Sequence, residues 1–365
     1  MIIKNIQIRN FRNLSRVDFC PRANINILLG ENGQGKTNFL EAICTAATGN
    51  SFRTASNTDM IQYEKEEMKI YLKYIREERE AEAYFSYNER GNKEYRINTV
   101  KVNKKNTDRL NVVLFTPEDL YIVKGNPKRR RKYLDFLMKQ ISPEYLYHLE
   151  RYYEILKKRN LTLKKENNDK IYSAVSQNIF IDLAAVIIFF RINIINLIDT
   201  LAAAIHQRIS GENDSIKIRY ALSFPVQSDK ISIEVLKESL GKRLEEIKNK
   251  EIYKRTTLVG PHLDDIHIYH HKRSAKKFSS QGQQRNISIA LKLAEIEIYE
   301  KIKGEYPVLL MDEVLAELDD ERKKMLLEYL KSSVFQTFIT AVDIKELELP
   351  PNLVNLVVDG QITKQ

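Results

Sequence analysis

The sequence has no tryptophan, two cysteines and only 12 glycines among 365 residues. Cys20 and Cys44 lack metal-ligand spacing and are too few for a disulfide framework, so a reducing cytoplasm is expected. Long apolar runs are missing too. The most apolar stretch, 183–190, is closed by Asp182 and Arg191 after eight residues, and no membrane association is expected. The chain opens Met1-Ile2-Ile3-Lys4 directly into a strand pattern, without the apolar core and cleavage site of a secretory leader. Internal repeats and low-complexity linkers are absent. What is present is a globular composition, 43% hydrophobic and 30% charged, with room for a real core and more than one lobe. The net charge of +10 and pI near 9.2 suit a partner with a phosphate backbone, although a solvated lysine-rich surface has the same composition.

Against this scarcity, three glycines within six residues stand out. Gly30-Glu31-Asn32-Gly33-Gln34-Gly35-Lys36-Thr37 fits the phosphate-loop pattern G-x-x-x-x-G-K-S/T. A buried strand pattern at 24–29 precedes it, and Asn38-Phe39-Leu40-Glu41 begins a helix after it. That geometry turns backbone N–H groups onto phosphates at a helix N-terminus. ATP is the expected ligand, with Lys36 on the β- and γ-phosphates and Thr37 on Mg²⁺. A second motif is the apolar run 307–311 ending in Asp312-Glu313. Asp312 is expected in the Mg²⁺ shell and Glu313 as the base for the attacking water.

Other stretches give the outline. Strands are expected at 2–9, 16–19, 24–29 and 112–115, and an antiparallel sheet from 68–75, 80–88, 93–97 and 99–103. Helical periodicity runs from Glu118 to about Ser210, with Pro127 and Pro143 at helix starts. A strand at 215–223 and a helix at 231–250 follow. Strands at 266–269, 307–311 and 335–340, with a helix at 282–303, complete the outline.

The wide separation of the phosphate loop from the acidic strand is similar to the ABC-type heads of SMC proteins. A third motif of that class, a signature stretch, is matched by Ser279-Ser280-Gln281-Gly282-Gln283 at a helix N-terminus. Ala316-Glu317-Leu318-Asp319 resembles their D-loop. In such heads the signature serine meets the γ-phosphate held by a second subunit, which implies an ATP-dependent homodimer.

Over essentially its whole length the chain resembles the RecF family of bacterial recombination-mediator ATPases. The resemblance rests on Asn10-Phe11-Arg12-Asn13, on the phosphate loop with Asn38, on Ser51-Phe52-Arg53, and on Phe115-Thr116-Pro117-Glu118-Asp119-Leu120. Val123-Lys124-Gly125, Arg129-Arg130-Arg131, Leu134-Asp135, Gly260-Pro261-His262 with Asp264-Asp265, and Ser280-Gln281-Gly282-Gln283-Gln284-Arg285 extend it. Leu263 stands where the family commonly has arginine, and no switch histidine follows Thr340. The resemblance implies an α/β fold: an ABC-type ATPase head, with a P-loop lobe and antiparallel β subdomain built from 1–116 and 251–365. A mainly helical lobe, 117–250, is inserted. It further implies a weak DNA-stimulated ATPase of recombinational repair, replication-fork maintenance and the SOS response, cytoplasmic and nucleoid-associated. ATP would drive a homodimer to clamp duplex, gapped or junction DNA and, with RecO and RecR, help load RecA.

Individual side chains carry further expectations. Arg12 is placed to reach the nucleotide, as the corresponding arginine does in related heads, or else is a strand-end surface charge. Lys101, Lys104, Lys105 and Arg109 are candidate DNA contacts, as are the basic runs 128–132 and 157–159; each also reads as a solvated face. His262, His267, His270 and His271, without cysteine or a tight His–acid pattern, do not read as a metal site. A defence-type ATPase head acting with a nuclease, and a transporter ATPase, are the competing readings. The first calls for a further catalytic domain, the second for a switch histidine and a shorter insertion.

Overall fold

The computed structural model describes residues 1–102, 109–164, 174–210, 214–228, 230–343 and 353–364. The chain divides into two compact units, Met1–Leu120 with Lys292–Gln365, and Tyr121–Leu291.

The first unit carries two six-stranded sheets. One has the order β2-β1-β4-β5-β6-β7, from β1 (Ile2–Phe11), β2 (Leu14–Phe19), β4 (Glu67–Arg76), β5 (Arg79–Asn88), β6 (Lys93–Ile97) and β7 (Val100–Lys101), and is antiparallel throughout. Its strands alternate as a half-buried sheet should: Ile6 and Ile8 face in, while Asn5, Gln7 and Arg9 do not. The other sheet has the order β15-β14-β3-β13-β12-β8. Its members are β3 (Ile25–Leu29), β8 (Val112–Phe115), β12 (Val308–Met311), β13 (Thr337–Ala341), β14 (Val354–Val358) and β15 (Gln361–Lys364). All of these pair in parallel except β14 with β15. Every residue of β12 and β13 is buried, the signature of a parallel strand covered on both faces. Helix α1 (Lys36–Thr48) packs on both sheets, and its Phe39 ring lies 5.7 Å from Phe19 of one and 6.2 Å from Phe338 of the other.

The second unit contains α2 (Pro127–Ile141), α3 (Pro143–Leu163), α4 (Ala174–Ser210), α5 (Ile233–Lys254), α6 (Ala275–Phe278) and the start of α7 (Gln281–Lys303). A three-stranded antiparallel sheet, β11-β10-β9, accompanies them, from β9 (Ile216–Ala221), β10 (Asp265–His270) and β11 (Arg273–Ser274). Helices α2 and α3 start on prolines, with Asn126 and Ser142 capping the N–H groups of Arg129 and Tyr145. Helix α4 continues through both Asp182 and Arg191. Its residues 177–210 are long and apolar enough to cross a membrane by length and composition, contrary to the short segment read from sequence. Yet its middle residue, Arg191, is fully buried and donates to Asp135 Oδ1 at 2.7 Å, Tyr145 Oη at 2.8 Å and the Pro261 carbonyl at 2.6 Å. A paired arginine inside a packed helix marks α4 as the spine of this unit's core.

Two features depart from the outline read from sequence. The unit holding the helices runs on to Leu291, because β10 is tied to α2: Arg130 pairs with both Asp265 oxygens at 2.7 and 2.8 Å, and Arg131 donates to the Asp264 carbonyl. Strands β14 and β15 were not anticipated. In the last helix, α8 (Asp320–Lys331), Asp319 is the N-cap.

Candidate nucleotide site

The loop between β3 and α1 is shaped by what surrounds it. A Cβ on Gly30 would lie 2.3 Å from the Val357 carbonyl oxygen, so only glycine fits. Gly35 has φ of 110° and would press a Cβ to 2.9 Å from Asn13 Oδ1. Asn13 in turn donates to the Gly33 carbonyl at 3.0 Å and accepts from Asn38 at 2.8 Å. Gln34 holds the β14–β15 turn, receiving Asp359 N–H on its side chain at 2.5 Å and Gly360 N–H on its carbonyl at 3.0 Å. Asn32 and Glu31 are exposed.

Lys36, only 3% exposed, curls over this loop. Its Nζ donates to the Gly30 and Glu31 carbonyls at 2.8 and 2.9 Å and lies 3.4 Å from Glu313 Oε1. Thr37 Oγ1 donates to Asp312 Oδ1 at 2.8 Å, joining residues 275 positions apart. The register explains the meeting: β13 lies between β3 and β12 in the parallel sheet, so both strands deliver their C-terminal ends to one edge. Thr340 at the end of β13 completes the group. Its hydroxyl reaches Asp312 Oδ1 at 3.1 Å and receives the Glu313 N–H at 2.8 Å. Burial pushes the Asp312 carboxyl above its ordinary pKa, while the Thr37 and Thr340 hydroxyls draw it back and the Glu313 charge adds to the rise. Such a carboxylate gains from a nearby cation. Glu313 sits at φ 53°, a left-handed conformation that costs a non-glycine residue roughly 1–3 kcal/mol. The two adjacent acids therefore point apart, one onto Thr37 and one beside Lys36. Lysine, threonine and aspartate together fit a phosphate chain with a hard, oxygen-loving cation.

Arg12 has a different first partner. It is bidentate on Glu41 of α1 at 2.9 and 3.1 Å, and donates to the Asp59 carbonyl at 2.6 Å. Glu41 is fully buried and also accepts from Ser51 Oγ at 2.5 Å and Arg53 at 3.3 Å, while Arg53 donates to Asn38 Oδ1 at 2.6 Å. The sequence reading gave Glu41 no role. Its only signal was a carboxylate on the buried face of an apolar helix. Glu41→Ala leaves Arg12 and Arg53 only the Asp59 carbonyl and Asn38 Oδ1, and is expected to destabilise the fold by roughly 1–3 kcal/mol. A shift in the urea midpoint worth under about 1 kcal/mol would contradict this packing role.

In the second unit the signature stretch forms the start of α7. Ser280 and Gln283 make a reciprocal cap, Ser280 N–H to Gln283 Oε1 at 2.8 Å and Gln283 N–H to Ser280 Oγ at 3.2 Å. Gln281 is exposed and Gly282 half-buried beside it. Ser279 Oγ instead bonds His270 Nδ1 at 3.0 Å. Of the D-loop residues, Ala316 and Glu317 are exposed, Leu318 is buried and Asp319 caps α8. Lys101 is exposed at the end of β7; Arg109 is half-buried, its guanidinium 6.0 Å from the Tyr95 ring; Lys104 and Lys105 lie outside the described residues. The basic runs present fewer free charges than their sequence promises, because Arg130 is committed to Asp265 and Arg159 to the buried Glu251.

The Gly260-Pro261-His262 turn is anchored within its own unit. His262 Nδ1 hydrogen-bonds Tyr152 Oη at 2.6 Å, and Asp264 accepts from Ser223 N–H and Tyr220 Oη. Burial lowers the His262 pKa to about 4; the Thr257 backbone opposes the shift, and Arg131, Arg191 and Arg159 add to it. The unfolded chain binds this proton near 6.5 and the folded one only near 4. Stability held above pH 6.5 is therefore lost as pH falls toward 4, by up to about 3 kcal/mol. His262→Gln should show a smaller drop in urea midpoint between pH 7 and 4.5. An undiminished drop would place the titration elsewhere.

Residues 2–364 match the RecF/RecN/SMC N-terminal domain family. The chain is similar to the DNA replication and repair protein RecF of Bacillus cereus, 36% identical over 355 residues, covering 95% of this chain and 94% of that one. Against the RecF of Listeria monocytogenes it is 38% identical over 346 residues, 93% and 92% of the two chains. A solved structure of the recombination mediator protein RecF-ATPrS in the RecFOR pathway superimposes with a TM-score of 0.91 at 32% identity, covering 99% of this chain and 97% of that one. The Smc head domain of Pyrococcus furiosus, at 16% identity and a TM-score of 0.55, shares the fold.

Proposed function

The chain belongs to the RecF family of DNA replication and repair proteins, with an ABC-type, SMC-like ATPase fold, and from that membership we propose an ATP-gated DNA clamp. The observation that carries this reading is the Thr37–Asp312 hydrogen bond beside the Lys36–Glu313 pair, four residues from opposite ends of the chain on one sheet edge. ATP lies along the Gly30–Asn38 loop, with Lys36 on its β- and γ-phosphates. Thr37 and Asp312 would hold Mg²⁺, which would neutralise charge on the phosphates. Glu313 receives the proton of the attacking water.

Ser279–Gln283 of one copy meets the γ-phosphate of another, so two ATP molecules close a homodimer, with the D-loops beside them. Lys101, Lys104, Lys105 and Arg109 contact the backbone of duplex, gapped or junction DNA. Slow, DNA-stimulated hydrolysis reopens the clamp. RecO and RecR are its partners in loading RecA at gaps, in support of the SOS response, within the cytoplasm at the nucleoid.

The discriminating variant is Ser280→Arg. Arginine adds bulk at the shared phosphate and removes one helix cap, a local loss of about 1 kcal/mol. Nucleotide binding by the monomer should remain while ATP-dependent dimerisation disappears. Retained dimerisation contradicts the shared site, and parallel loss of both properties indicates misfolding.

A further inference from the structure

The end of strand β10 gathers donor atoms that the nucleotide reading does not use. His270 closes the strand, and His271 and Lys272 form the turn that follows, at φ 47° and 65°. Asp214, just ahead of β9, faces them: His270 pairs with Ile216 in the ladder, and His271 N–H donates to the Ser215 carbonyl at 3.1 Å. Both imidazoles converge on one carboxylate oxygen. His270 Nε2 is hydrogen-bonded to Asp214 Oδ1, His271 Nε2 is 3.1 Å from it, and the ligand atoms of all three residues lie within 4.8 Å of one another. A tetrahedral ion with bonds of about 2.0–2.1 Å holds its ligand atoms roughly 3.3 Å apart, near the 3.1 Å between His271 Nε2 and Asp214 Oδ1.

Two further observations favour an ion over a plain ion pair. His270 turns its other nitrogen, Nδ1, to Ser279 Oγ at 3.0 Å, the outer hydrogen bond by which metal-ligating histidines are oriented. His206 is fully buried with its ring 6.0 Å from that of His270, and its Nδ1 has no hydrogen-bond partner among the described residues. Burial acts on it most strongly, lowering its pKa; Asp214 opposes that shift and His270 and His271 add to it. One carboxylate balances one imidazolium. It can accept from both neutral imidazoles, whose centroids are 4.4 Å apart, but leaves His206 Nδ1 unsatisfied, whereas a dication offers a common partner to neutral imidazoles.

We propose that Asp214, His270 and His271 bind one transition-metal dication, with Zn²⁺ the ion best suited to the nitrogen–oxygen donor set and His206 the nearest further donor. Through His270 and Ser279 the ion would steady the residue that leads into α7. The site uses the second unit alone and stands or falls independently of ATP binding.

The test uses the full-length protein, stripped with chelator and kept in excess Mg²⁺ without nucleotide, titrated with Zn²⁺ by calorimetry and with Co²⁺ by absorbance. One equivalent should bind, with a tetrahedral Co²⁺ spectrum. His271 is exposed, so His271→Ala should fold and should weaken binding by more than about 100-fold; Ser279→Ala, an outer partner, should cost about 10–100-fold. The exposed His267 on the same strand should be dispensable. Failure to bind one equivalent, or affinity unchanged by His271→Ala and His270→Ala, overturns the proposal and leaves an Asp–His ion pair.

Discussion

Lys36→Met is expected to abolish measurable ATP hydrolysis while leaving the fold intact. The Nζ of Lys36 is held by the Gly30 and Glu31 carbonyls beside Glu313, and it is the only lysine of the loop. Methionine fills the same volume, so the helix that follows keeps its packing. What is lost is a fixed positive charge where negative charge gathers on the transferring phosphoryl group. Removing one such preorganised group costs roughly 10²–10³ in turnover. The two loop carbonyls also lose a donor, a local penalty of about 1 kcal/mol that a melting curve will register as a small shift. Lys36→Arg keeps the charge, but its planar fork does not match a pocket built for a point charge, so binding should outlast hydrolysis. Phosphate release at the parent rate from Lys36→Met would remove this loop from the chemistry.

Glu313→Gln should act later in the cycle. Glutamine preserves the shape and the left-handed backbone supported by Thr340, and it still hydrogen-bonds water, but it accepts no proton. Hydrolysis should fall by roughly 10²–10⁴ while ATP still binds. With the γ-phosphate retained, the dimer should accumulate on a sizing column and DNA should dissociate more slowly. Asp312→Asn should differ. Asp312 points at Thr37 rather than at Lys36, so its loss weakens the cation site and should impair dimerisation along with turnover. A Glu313→Gln protein that remains monomeric in ATP and Mg²⁺ would contradict both the role of Glu313 and the gating.

Most local patterns were legible in the sequence, although the β14–β15 hairpin with its Asp359-Gly360 turn was missed. The phosphate loop, the acidic strand end and the helix at 281–303 emerge where periodicity and glycine spacing place them. Partners set by distant register were not legible. Thr340 reaches Asp312 only because β13 inserts between β3 and β12, and nothing near Thr340 in the chain announces it. Glu41 reads as one polar residue in an apolar helix until Arg12 and Arg53 are seen to converge on it. The Gly260–Asp265 stretch follows a helix and precedes a strand, so its composition resembles a return to the first lobe. Its contacts are with Tyr152, Arg130 and Arg191, and only tertiary packing reveals them. Asp214 was not legible as a neighbour of His270 and His271 for the same reason, since it meets them through a β-ladder rather than by spacing.

The most direct test is a single experiment on the unaltered chain: molecular mass and retained DNA measured together, with and without ATP and Mg²⁺, across a salt series. A monomer without nucleotide, a dimer with ATP, and DNA retained chiefly by the dimer is the expected result. Affinity should fall steeply as salt rises, because lysine and arginine contacts to phosphates release counterions. An unchanged mass with DNA affinity indifferent to ATP would contradict the ATP-gated clamp.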